Sequence, residues 1–199
     1  MTAVLAVDPA YAAKGPGCAC ALFCDGRLSA LYYARPGRQR PATPDGAVVV
    51  WERPSARPLS NAPKSAHVIS LAHANVLIQL ACAGATLAGA CAAEADGTVV
   101  EVTPLDWKSS TPKPVHHKRM LWGYTDERGA EHDGLSEDEL AIVFSSCGGS
   151  DTGSRVAAAC RAGGLDRWAK PGASYYGSWT GHNLLDAVGL GLWYLERNR

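Results

Sequence analysis

The sequence predicts an α/β domain built on a mixed sheet, and three observations predict it. Several short β-rich apolar runs come first, two of them joined by a tight Asp-Gly turn. A long Ala-rich helical stretch follows, with a strand-like run on each side of it. The chain then closes on helical segments, so strands and helices are interleaved in the manner of an α/β fold.

Residues 3–10, AVLAVDPA, form an apolar run stopped by Asp-Pro, which predicts a central strand ending at Asp8. AAKGPG is a turn. CACALFCDG is the second strand, and its Asp25-Gly26 pair returns RLSALYYAR as the third. Residues 35–46 are a Pro- and Arg-rich loop, after which AVVVWERP is a buried strand ending on Glu52. A proline-rich loop from Pro54 to Pro63 leads into a long helix predicted over 64–93, and TVVEVTP is the fifth strand. Residues 136–146 and 151–163 each predict a helix, with Gly148-Gly149 and Gly163-Gly164 as stops. HNLLDAVGLGLWYL, residues 182–195, is an amphipathic helix that Ser178 or Thr180 is placed to cap. No repeat and no linker interrupts the chain, so residues 1–199 read as one domain with an insertion-like segment at about 123–150.

Composition narrows the function. Hydrophobic residues make up 47% of the chain, enough for a sizeable core, and the formal net charge of zero argues against a coat for nucleic acid held by charge alone. The neutral total hides an asymmetry. Met1 to Lys64 carries eight basic against four acidic residues, whereas Asp126 to Glu139 carries seven acidic residues and one basic, Arg128. Seven cysteines without a CxxC pair read as small reduced thiols, which fits the cytoplasm. The N-terminus lacks a basic stretch before its apolar run, so no signal peptide is expected. Residues 76–93 approach membrane-spanning length, but they are mostly Ala and Gly and are interrupted by Gln79 and Thr86. A buried helix is expected there, and no membrane partner.

Three carboxylates stand in awkward places. Asp8 and Glu52 each end an apolar strand, and Asp186 breaks the apolar run of the last helix. Ends of neighbouring central strands converge on one crevice, and a helix packed across it can add a third group. Three carboxylates brought together repel one another unless a cation holds them, so a hard divalent ion, Mg²⁺ or Mn²⁺, is the natural occupant. Carboxylate-bound ions in a crevice suit phosphodiester hydrolysis. The plain alternative for each residue is a turn former or helix cap, and Asp8-Pro9 is a good turn initiator.

LAVDPAYAAKGPGCACALF, VVVWERP and HNLLDAVGLGL, in that order, resemble the RuvC-like Holliday-junction resolvases of the RNase H-like superfamily. The resemblance spans about the whole chain and rests on these three short motifs. It implies an RNase H-like fold, a mixed five-stranded sheet flanked by helices. It further implies a homodimeric, metal-dependent endonuclease that nicks branched DNA symmetrically, with two Mg²⁺ or Mn²⁺ ions. Asp8, Glu52 and Asp186 would be metal ligands. The family's fourth ligand lies three residues before the last aspartate, where this chain has Asn183, with His182 one place earlier. Both positions lie near the helical face of Asp186. His182 is preferred as ligand or proton shuttle because imidazole is the better donor.

Cations near such a site would serve the phosphate backbone. Arg53, Arg57 and Lys64 follow Glu52, while Lys108, Lys113 and Lys118 follow the fifth strand among Trp107, His116, His117 and Trp122. The tryptophans are placed either to stack on unpaired bases or to join the core. His116, His117, His132 and Cys147 lack zinc-finger spacing. Two further readings stand beside the nuclease for branched DNA: an RNA-processing nuclease of the same superfamily, and a non-catalytic module that binds branched nucleic acid.

Overall fold

The computed structural model describes residues 2–12, 15–35, 40, 42–54, 71–108, 113–143, 145–146 and 179–198. The helix expected over 151–163, Ser178 and the loop residues Arg57 and Lys64 lie outside them. Five strands, β1 (Ala3–Ala12), β2 (Gly15–Cys24), β3 (Arg27–Ala34), β4 (Val48–Glu52) and β5 (Thr98–Val102), form one mixed sheet in the order β3-β2-β1-β4-β5. β1, β2 and β3 are antiparallel neighbours, whereas β4 and β5 run parallel to β1. Asp25 and Gly26 both take positive φ at the β2–β3 turn, which is what an Asp-Gly hairpin requires.

β1 does not stop at Asp8. It continues to Ala12 along β2, but its parallel ladder with β4 ends at the pair Val7–Trp51. The antiparallel hairpin carries Asp-Pro as strand, and only the β4 side of the strand is released there.

Helices cover both faces of the sheet. On one, α1 (Leu71–Glu94) packs Ala88, Cys91 and Ala92 against Leu5, Val7, Cys20, Val49 and Trp51. On the other, α4 (Trp179–Arg197) packs Leu184, Leu185, Val188 and Leu190 against Val4, Ala6, Phe23 and Val50. The odd and even residues of β1 and β4 are thus sorted between two cores, as the two-residue period of a strand demands. α2 (Pro104–Trp107) and α3 (Lys113–Trp122) follow β5 and bring Trp107 and Leu121 to the α4 side.

Within the segment read as an insertion, β6 (Tyr124–Thr125) and β7 (Glu131–His132) form a small antiparallel hairpin, and residues 137–143 are helical. Thr180 lies inside α4 rather than capping it.

The reading of residues 76–93 as a buried helix needs correction. Over Ala74–Glu94, α1 is long and apolar enough to cross a membrane by length and composition alone, yet only Gly84, Ala88, Cys91 and Ala92 of that stretch are buried. One stripe faces the sheet, while Val76, Ile78, Cys82 and Gly89 face outward. Ala and Gly suit an outward face as readily as an enclosed one, so composition did not distinguish a one-sided helix from an enclosed one.

Two glycines on opposite sides of the sheet should respond with opposite signs. A side chain at Gly191 would run into the Phe23 ring, whereas a Cβ at Gly89 meets nothing within 4 Å. Chemical denaturation should show Gly191→Val losing about 2 kcal/mol by overpacking. Gly89→Ala should gain about 0.5–1 kcal/mol from helix propensity.

Candidate carboxylate site

The parallel register that ends at Val7–Trp51 makes Asp8 and Glu52 the next residues on adjacent strands. Both fall in phase with Ala6 and Val50, on the face that α4 covers. Residues 184–191 of α4 are buried without a break, so the helix is enclosed on all sides at that level and Asp186 enters the core with its neighbours. Asp8, Glu52 and Asp186 are 4%, 7% and 2% exposed, which makes them three of the five buried polar side chains among the described residues.

Burial of three carboxylates demands compensation. It comes from Lys108, the residue that follows α2. Thr103 and Asp106 tie the start of this short helix: the Thr103 backbone N–H donates to Asp106 Oδ2 at 2.6 Å and its hydroxyl at 2.7 Å. These bonds hold the Asp106 carboxyl below the usual range. From that anchored turn Lys108 Nζ reaches Glu52 Oε2 at 2.8 Å, Glu52 Oε1 at 3.1 Å and Asp186 Oδ2 at 3.4 Å. Burial pulls the ammonium toward its neutral form, but Asp8, Asp186 and Glu52 together outweigh it and hold the pKa above the ordinary lysine value.

Trp107 and His117 fix the carboxylates from the side. The Trp107 indole N–H donates to Glu52 Oε2 at 2.7 Å, and its ring lies 4.7 Å from Lys108 Nζ. His117, 1% exposed on α3, places Nε2 2.8 Å from Asp186 Oδ1. Its neighbour His116 packs edge-on against Trp107 at 5.7 Å, and its Nε2 is buried without a hydrogen-bond partner among the described residues. Burial first, and the adjacent His117 second, lower the His116 pKa, so this ring is neutral at pH 7. The close approach of α4 here depends on Gly189, where a Cβ would come within 2.9 Å of His116 Nε2 and 3.0 Å of the Trp107 ring.

The structure places Asp8, Glu52 and Asp186 on one face of the sheet, with Lys108, which was expected elsewhere, paired to the last two. Lys108, read as a phosphate contact, is inside the cluster. The imidazole that touches Asp186 is His117 of α3. His182 falls in the first turn of α4 with its side chain outside the described residues, and Asn183 is half-buried there. Arg53 is exposed and paired with Glu101 at 3.2 Å; Lys118 is exposed on α3, and the side chain of Lys113 is not among those described. Trp107 is core and site at once, while Trp122 packs against the core. A signal for His117 was present in the sequence: it precedes Met120 and Leu121 by three and four residues, on the apolar side of α3.

In this arrangement no three His, Cys, Asp or Glu side chains among the described residues are grouped closely enough to hold one ion. The donor set nevertheless fits a hard cation in chemistry. Glu52 and Asp186 pair with one ammonium on which Asp8 also acts, so the carboxylates outnumber the ammonium, and oxygen donors with one imidazole suit Mg²⁺ or Mn²⁺.

Comparison of the chain with protein-family models, curated proteins and solved structures gave no match. Fold and site define the class at a coarser level: a mixed α/β protein whose five-stranded sheet is flanked by helices, with a buried carboxylate cluster at the edge of its α4-side core.

Removing the ammonium should expose the carboxylates to one another. Lys108→Met is expected to lose about 3 kcal/mol of stability at pH 7, because a buried ion pair loses one partner. The folded pKa of Lys108 is raised, so its contribution is fully present below the unfolded lysine pKa of about 10.4 and fades above it. Denaturation curves of the two proteins should differ by a constant amount from about pH 6 to 9 and converge in stronger alkali.

Proposed function

We propose that the protein is a Mg²⁺-dependent (or Mn²⁺-dependent), structure-selective endonuclease that nicks four-way or related branched DNA, with an RNase H-like fold of the resolvase type. One observation carries the reading: buried Glu52 and Asp186 share the Lys108 ammonium, and buried Asp8 on the neighbouring strand acts on the same charge. The mixed five-stranded sheet with helices on both faces supports the fold that the sequence motifs imply.

Asp8, Glu52 and Asp186 would hold the ions, two in number. Divalent cations held there lower the pKa of water and neutralise charge on the phosphodiester. The chain's own residues do the positioning. Trp107 restrains Glu52 through its indole N–H, and His117 restrains Asp186 through Nε2. Lys108 carries a positive charge at the cluster that can pass from carboxylate to a phosphate oxygen. Exposed Arg53 and Lys118 supply phosphate contacts, joined by Arg57, Lys64 and Lys113. A four-way junction presents strands related by a two-fold axis, so paired nicks call for two copies of the chain.

Lys108 also favours a second reading. Its ammonium already bridges Glu52 and Asp186, an arrangement that would suit a module binding branched nucleic acid without cutting it.

A labelled synthetic four-way junction with Mg²⁺, beside duplex, single-strand and RNA controls, separates these. Paired symmetric nicks are expected from wild type, and Asp186→Asn should lower the rate more than about a hundredfold. Preferential cutting of RNA would replace the substrate; tight junction binding without cutting in Mg²⁺ or Mn²⁺ would leave the binding module.

A further inference from the structure

Beside the carboxylate cluster lies an open cleft of about 750 Å³. Trp107, His116, Arg119, Tyr124, His132 and Trp193 are among the residues that line it. We infer that this cleft receives an unpaired nucleobase of the strand whose phosphate faces the carboxylates; the inference rests on the nucleic-acid reading above.

Size and surface agree with such a guest. The volume falls in the range of small-ligand sites, about 300–1,000 Å³. The Tyr124 and His132 rings are stacked at 4.4 Å with 4° between their planes, and the Arg119 guanidinium lies 4.7 Å from the Tyr124 centroid. Flat aromatic and guanidinium surfaces are what bases stack upon, whatever their identity.

Charge selects the base over the phosphate. The lining holds four carboxylates (Glu131, Asp133, Glu139, Glu196) against two guanidiniums (Arg27, Arg119). His116 adds no charge at pH 7, since burial and His117 lower its pKa. A phosphate would be repelled from such walls, whereas an uncharged base with donors and acceptors on its edge would not. The acidic strip from Asp126 to Glu139 gains a structural meaning here. Asp126 accepts the Arg128 and Ala130 N–H groups at 2.9 Å each, and Glu139 accepts those of Leu28 and Ser136 at 2.8 and 2.9 Å. These two carboxylates fix the hairpin and its docking, and Glu131 and Asp133 remain to line the cleft.

Position links the cleft to the chemistry. Trp107 presents its ring to the cleft while its N–H donates to Glu52. Trp107 thus belongs to both, and a nucleotide with its phosphate at the carboxylates has the cleft beside it for its base. The outer wall is held close: Gly123 has φ +73°, its backbone abuts Gly134, and Leu135 N–H donates to Leu121 O at 3.2 Å.

The test follows the indole N–H signals of Trp107 and Trp193 by NMR, with Ca²⁺ in place of Mg²⁺ to prevent cutting. The probes are a DNA trinucleotide and the same trinucleotide with an abasic centre. Both signals should shift with the intact probe, and Trp193 should stay still with the abasic one. Tyr124→Ala and Arg119→Ala, both at exposed positions, should each weaken the intact probe about tenfold and leave the abasic probe unchanged. A Trp193 signal that is silent at millimolar intact probe, or that responds equally to both probes, overturns the inference. Junction cutting with a silent Trp193 removes the cleft alone; a base-dependent Trp193 response without cutting keeps the cleft and removes the nuclease reading.

Discussion

Three carboxylates sealed inside an apolar sandwich must share a positive charge, and the local architecture follows from meeting that need. Without a cation, each ionised group loses its hydration while facing like charges. The strand pair β1–β4 fixes two of the carboxylates through its parallel register, and α4 delivers the third because it is enclosed at that level. The cation must then arrive from outside the sheet. β5 leads directly into a capped turn, α2, that aims Lys108 at the cluster and Trp107 at Glu52.

α3 and the β6–β7 hairpin can be understood from the same point. His117 docks α3 onto Asp186, and Gly189 allows His116 and Trp107 to lie flush against α4. Once α3 is seated, the hairpin that follows has one surface to pack on and leaves a cleft between itself and α4. The acidic residues of that hairpin divide their labour between capping its turns and lining the cleft. A surface that reads as surplus negative charge in one dimension becomes a wall in three.

How much of this was legible in the chain depended on whether the information was local. Asp8 and Glu52 stood out because a charged residue ending a β-rich apolar run is a local anomaly, and the Asp-Gly turn fixed the hairpin in the same way. Asp186 stood out inside an apolar helix. Lys108 stood out only as a phosphate contact, and His117 only by its spacing to Met120 and Leu121. A lysine in a polar loop and a histidine beside another histidine look solvated until the fold brings carboxylates to them. The extension of β1 past Asp-Pro was hidden because pairing with β2, the next strand of the same hairpin, overrides the turn signal of the dipeptide. The one-sided burial of α1 was hidden because Ala and Gly tolerate either environment. The acidic hairpin gave no period to read, as strands of two residues are too short to show alternation.

The central proposal is that Asp8, Glu52 and Asp186 bind divalent cations beside Lys108. The most direct measurement is Mn²⁺ binding followed by electron paramagnetic resonance, with broadening of the Trp107 indole signal as the reporter of place. Wild type is expected to take up Mn²⁺ and lose the Trp107 signal, and Asp8→Asn and Asp186→Asn each to abolish both effects while remaining folded. Mn²⁺ uptake that is unchanged in both variants, or a Trp107 signal that persists in wild type at millimolar Mn²⁺, would contradict it.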